Sequence, residues 1–142
     1  MGDFELPCPV NFIYLNTGEN ESFDHFFENS FIHHYIRSPD NSDLSYTQRL
    51  KLAQSKANQI QYLCKFIVSV DKEDPSVFYG YTAYFHDNDT VTLMFAYIKR
   101  NLRGFGIYKE ALDIICTDCK YFSCVYPERN SKKLDKYTRR YI

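Results

Sequence analysis

Three β-rich runs joined by short polar links constrain this chain more than any other feature. They are Lys65 to Val70, Val77 to Phe85 and Val91 to Ile98, separated only by Asp71 to Ser76 and by His86-Asp87-Asn88-Asp89. Links of that length make neighbouring antiparallel strands, so the three runs predict a meander. Upstream, Phe12-Ile13-Tyr14-Leu15 reads as a first strand closed by the turn residues Asn16-Thr17-Gly18. A helix then starts at Ser22 as N-cap, with Phe23, Phe26, Phe27, Phe31 and Tyr35 on one face, and Ser38-Pro39-Asp40-Asn41 stops it. Ser45 and Gln48 form a capping box for a second helix carrying Leu50, Ala53, Ala57 and Ile60.

Downstream of the meander comes a glycine loop, then a helix with Ile107, Ala111, Ile114 and Ile115 on one side. Tyr121 to Tyr126 reads as a fifth strand, and from about Ser131 a last helix carries Leu134, Tyr137 and Tyr141. The predicted order is β-α-α-β-β-β-α-β-α, an α/β domain of layered α+β type with a mostly antiparallel sheet. At 142 residues a single domain spanning 1–142 is expected. With 44% hydrophobic and 25% charged residues the composition is globular, which excludes a disordered or fibrous chain.

Targeting signals are not expected. The apolar runs are far shorter than the ~18–20 residues needed to cross a bilayer. Met1-Gly2-Asp3-Phe4 has neither a basic segment nor an apolar signal core, and Leu6 argues against myristoylation at Gly2. Five cysteines, an odd number, favour free thiols in a reducing compartment, so a cytoplasmic location is expected. Charge is split: residues 1–50 hold eight acids against Arg37 and Arg49, whereas residues 51–142 hold fifteen basic residues against ten acids. Such a split would steer an anionic ligand towards the C-terminal half. Lys132, Lys133, Lys136, Arg139 and Arg140 read first as the solvated face of the last helix. Together with Tyr137 and Tyr141 they suit single-stranded nucleic acid only as a minor alternative.

The segment richest in chemistry is Lys99-Arg100-Asn101-Leu102-Arg103-Gly104-Phe105-Gly106-Ile107, between a strand end and a helix start. Glycines there let the backbone approach a ligand, the free N–H groups of the helix start face an anion, and Arg103 adds a fixed positive charge. A tight strand-to-helix connector explains the same glycines.

This loop, set in this order of elements, resembles the GNAT superfamily of acetyl-CoA-dependent N-acetyltransferases. The family motif is Arg or Gln, two residues, Gly, one residue, then Gly or Ala, between the fourth strand and the third helix. Arg103 and Gly106 match it, and Tyr108 stands where the family has a small residue. Asn130 followed seven residues later by Tyr137 is a second shared feature. The resemblance implies that the strand end around Tyr97 and Ile98 offers backbone groups to the pantetheine arm and acetyl carbonyl of acetyl-CoA. It implies a pyrophosphate cradle made by Arg103, Gly104, Phe105, Gly106, Ile107 and Tyr108, with Asn130 also on the cofactor. Tyr137 is then the hydroxyl that protonates the departing thiolate, and the reaction is direct attack of an amine on the thioester.

Three departures keep a second function open. Tyr108 puts a ring where a small residue lets phosphate approach, so it either blocks the helix start or tilts away. The fourth strand holds no carboxylate base: Thr92 occupies the equivalent position, with His86, Asp87 and Asp89 as substitutes on the preceding turn. The terminal β-hairpin of the family is expected to be absent, so the C-terminal sheet edge is expected to be covered by a protein partner or by a second copy in a homo-oligomer. The alternative is therefore an inactive GNAT-fold binding or structural component, such as a phage virion or assembly protein. Cys116-x-x-Cys119 with Cys124 lacks the four ligands of a structural zinc site, and no metal is expected. His33 and His34 are helix neighbours whose rings point to different faces, and His34, on the Phe27–Phe31 stripe, is expected to be a packing residue.

Overall fold

The computed structural model describes residues 10–38, 43–117 and 119–124. Five strands form one sheet in sequence order: β1 (Val10–Leu15), β2 (Lys65–Asp71), β3 (Phe78–Asp87), β4 (Thr90–Ile98) and β5 (Tyr121–Cys124). The first three pairings are antiparallel, as short links dictate; β4 and β5 run parallel, joined through helix α3 (Ile107–Ile115). Helices α1 (Glu21–Ile36) and α2 (Tyr46–Leu63) precede β2. The last predicted helix, with Asn130 and Tyr137, lies outside the described residues, as do Val125 and Tyr126.

The two helical layers cover opposite faces. Phe23, Phe27 and Phe31 of α1 and Ala57 and Ile60 of α2 are buried against Phe66, Val68 and Val70 of β2 and Tyr81 and Ala83 of β3. This face is built from aromatic edges: Phe27 meets Phe66 at 5.0 Å and Phe31 meets Phe95 at 4.8 Å, both T-shaped. Each such pair contributes ~0.5–1.5 kcal/mol beyond its buried area. On the other face, Ala111, Leu112 and Ile115 of α3 pack on Ile67, Tyr84, Val91, Leu93 and Phe122. β2 is thus buried on both sides, which its unbroken Phe-Ile-Val run requires.

Local details depart from the sequence expectation. Asn20, not Ser22, caps α1: its Oδ1 accepts from the Phe23 N–H at 3.0 Å. The Ser45–Gln48 capping box of α2 forms reciprocally. In α3 Ile107, Ala111 and Ile115 are buried as the stripe predicts, but Leu112 is fully buried where Ile114 is only partly so.

A bulge divides β4 into two halves. Tyr84 pairs with Leu93 but Ala83 pairs with Phe95, so Met94 is an extra residue. Parity flips there: Val91 and Leu93 point into the α3 face, whereas Phe95 and Tyr97 pack against the α1 face. The β4–β5 ladder runs from Thr90–Tyr121 to Leu93–Cys124, so among the described residues β5 does not accompany the strand past the bulge.

Candidate functional site

The distal half of β4, Met94 to Ile98, is anchored on its β3 side only, among the described residues. Lys99 N–H donates to the Tyr79 carbonyl at 2.9 Å, and Gly80 pairs with Ile98. By the alternation of an antiparallel ladder, Tyr97 then bonds towards Tyr81, and the backbone groups of Ala96 and Ile98 point away from β3. Gly80 permits the close approach. A Cβ there would stand 2.3 Å from the Tyr97 carbonyl oxygen and 2.6 Å from Ile98 Cδ1.

The chain leaves β4 through a 3-10 turn, Arg100–Leu102, whose Leu102 is buried beside Tyr79 and Ile107. Arg103 then folds back. Its Nε donates to the Ile98 carbonyl at 2.8 Å, and its guanidinium stands over the Tyr97 ring at 5.8 Å. One arginine therefore ties the loop to the strand end and uses one of the backbone groups facing away from β3. Gly104 and Gly106 both take positive φ, +90° and +84°, which L side chains rarely adopt. A Cβ at either would meet nothing within 4 Å, so the space in front of both is open.

Gly106 is the N-cap of α3 and has no side chain to bond the first-turn amides. Ile107 anchors the helix start in the core and Phe105 is half-buried between the glycines. Tyr108 packs inward against the cluster of Ile67, Tyr84 and Leu112, with its hydroxyl oxygen buried. The ring thus belongs to the core on the α3 side of the sheet.

The strand end, the loop and the helix start adjoin one another at one end of β4. The substitute bases do not join them. His86 and Asp87 are not in the turn but close β3, paired with Val91 and Thr90, and Asp89 follows in the turn, all at the other end of β4, whose first residue Thr90 is roughly 26 Å along the strand from Ile98. There Asp89 pairs with Lys120 at 3.9 Å. Thr92 lies in the part of β4 flanked by both β3 and β5.

A groove of about 630 Å³ opens beside the strand end, on the α1 side of the sheet. Phe26 and Tyr97 supply its aromatic surface, and Asn29 and Ser30 add polar groups. Ser30 already bonds the Phe26 carbonyl and the Tyr81 hydroxyl, the latter at 2.7 Å. The charged part is Arg37, Arg100 and Arg103, with His33 and His34. His34 is exposed at the rim, its ring 5.3 Å from Phe95, rather than packed within the stripe. Sequence reasoning missed this groove. The only signal was that Asn29, His33 and Arg37 recur every four residues on α1.

Burial pushes the Cys64 thiol up to about 12, so it stays protonated at neutral pH. Cys116 is buried beside α3 and Cys119 half-buried. Among the described residues no group of three or more His, Cys, Asp or Glu is placed to hold a metal, and no helix is long and apolar enough to cross a membrane.

No family model matches the sequence, and no curated protein matches it. Solved structures do. An acetyltransferase of the GNAT family from Staphylococcus aureus Mu50 superposes with a TM-score of 0.56 at 15% identity, covering 89% of this chain and 79% of that one. The ribosomal-protein-alanine N-acetyltransferase of Brucella melitensis biovar Abortus 2308 gives 0.55 at 13% identity, covering 92% and 91%. The fold is a GNAT fold. The aminoglycoside N-acetyltransferase AAC(6')-Iy, solved in complex with CoA, shares it with a TM-score of 0.52 at 10% identity, covering 90% and 84%. At these identities the likeness is one of fold, and the chemistry has to be argued from the residues in place.

Proposed function

We propose that this chain is an acetyl-CoA-dependent N-acetyltransferase, with acetyl-CoA as a substrate rather than a resident cofactor. The observation that carries this reading is the juxtaposition of an outward-facing β4 end with an uncapped helix start across open, positive-φ glycines. The fit is chemical as well as geometric. The amides around Gly104, Gly106, Ile107 and Tyr108 suit a pyrophosphate at the α3 N-terminus, with Arg103 beside it. Tyr108, packed inward, does not oppose this. The backbone of Ala96 and Ile98 suits the amide-bearing pantetheine arm as a further strand-like partner.

In the reaction an acceptor amine, deprotonated, attacks the thioester carbonyl carbon. A C–N bond forms, the C–S bond breaks, and the thiolate receives the proton lost by the nitrogen. This chain's contribution is to hold both reactants in line and to manage that proton. His33 and His34 line the groove beside the strand end, and imidazole is the side chain most often used to take a proton. Tyr137 is assigned the proton donor for the thiolate and Asn130 a place on acetyl-CoA, both by resemblance. The test is calorimetric titration with acetyl-CoA, with desulfo-CoA and ATP as controls. Micromolar binding weakened by Arg103→Ala supports the reading; absence of binding at millimolar ligand overturns it.

A further inference from the structure

The groove beside Tyr97 differs in charge from the rest of the molecule's N-terminal half, and that difference bears on the acceptor. Residues 1–50 are strongly acidic, yet Arg37, the basic residue at the end of α1, faces the groove together with Arg100 and Arg103. No lining residue is a carboxylate. Among the described residues none of the three guanidiniums is in an ion pair. Three arginines lining one groove make it electropositive, which favours an anion there. The same field disfavours a polyamine or a lysine-rich peptide by like-charge repulsion. Asn29 adds a neutral donor, while Phe26 and Tyr97 supply aromatic surface, and about 630 Å³ is ordinary for a small-molecule site.

We infer that this groove receives the anionic end of a small acceptor, an amine carrying a phosphate or carboxylate a few bonds away. The inference deepens the acetyltransferase reading and rests on it for treating the bound amine as an acceptor. The anion site itself stands on Arg37 and Arg100, which the donor reading does not use. Guanidinium is suited to both phosphate and carboxylate because its planar fork bonds two oxygens at once. An amine thus held by its far end would project past Tyr97 towards the open end of β4.

The experiment compares two probes that share an amine and differ in one group: phosphoethanolamine and ethanolamine. Each is titrated calorimetrically into the full chain, alone and with saturating desulfo-CoA. The expected result is binding of phosphoethanolamine alone, retained with desulfo-CoA and weakened by added salt. In the Arg37→Ala/Arg100→Ala double variant it should weaken by about tenfold or more, with desulfo-CoA binding unchanged. Should the double variant not fold, Arg37→Gln with amide shifts at Asn29 and His33 gives the same readout. Equal binding of ethanolamine, binding indifferent to the arginines, or complete displacement by desulfo-CoA each overturns the inference. The last outcome would assign the anion site to the donor's own phosphates. If desulfo-CoA does not bind but phosphoethanolamine does, the donor reading falls and the anion site stands.

Discussion

The two halves of β4 are made from the same kinds of residue and do different work. Thr90 to Leu93 is flanked by β3 on one side and β5 on the other, and it sends Val91 and Leu93 into the core beneath α3. Ala96 to Ile98 is backed by β3, turns Tyr97 to the opposite face and presents backbone groups outward. One extra residue, Met94, separates them. The comparison teaches that a single bulge can turn a strand's side chains from one face of the sheet to the other without any change in composition. Among the described residues the proximal half is paired on both edges and the distal half on one.

Mutations on either side of the bulge should therefore fail in different ways. The largest stability effect is expected from Leu93→Ala, roughly 2–5 kcal/mol for truncating a buried leucine, read by chemical denaturation. Gly80→Ala comes next. Its methyl would land on the Tyr97 carbonyl, which as backbone cannot swing away, so about 1–3 kcal/mol is expected together with altered amide shifts at Tyr97 and Ile98. Arg103→Ala should change stability by less than about 1 kcal/mol, since Arg103 is exposed and makes one backbone bond. It should still weaken acetyl-CoA binding by about tenfold, read by calorimetry. A large loss of stability in Arg103→Ala, or of ligand binding alone in Leu93→Ala, would break the division.

The smallest effect concerns pH. Asp71 accepts from the Tyr79 hydroxyl at 2.6 Å and from the amides of Glu73 and Asp74, and these bonds, Tyr79's foremost, hold its carboxyl below the usual range. A depressed carboxylate adds stability that is present above the unfolded-state pKa and lost as pH falls through the folded one. Tyr79→Phe should thus cost a small amount of stability at neutral pH. The gap from wild type should close in acid below the ordinary aspartate range, a convergence that denaturation at several pH values would detect.

Much of the architecture was legible because it depends on period and punctuation. The β2–β4 meander follows from link length, the α2 start from Ser45 and Gln48, and the loop from two glycines whose positive φ other residues resist. The bulge was not legible. Met94 and Phe95 are both apolar, and alternation alone puts Leu93, Phe95 and Tyr97 on one face. Nor was the inward turn of Tyr108, which depends on the space between Ile67, Tyr84 and Leu112. The groove escaped because its residues come from α1 and from the far side of the meander, sixty or more positions apart in sequence. His34 read as a packing residue because nothing local shows that it shares a groove with Tyr97 and Arg100.

The most direct test of a divided β4 maps acetyl-CoA onto the backbone by amide chemical shifts. The predicted result is perturbation at Ala96, Ile98, Gly104, Gly106 and Ile107, with Thr90 to Leu93 unmoved. Saturating ligand that perturbs both halves of β4 alike, or neither, would contradict it.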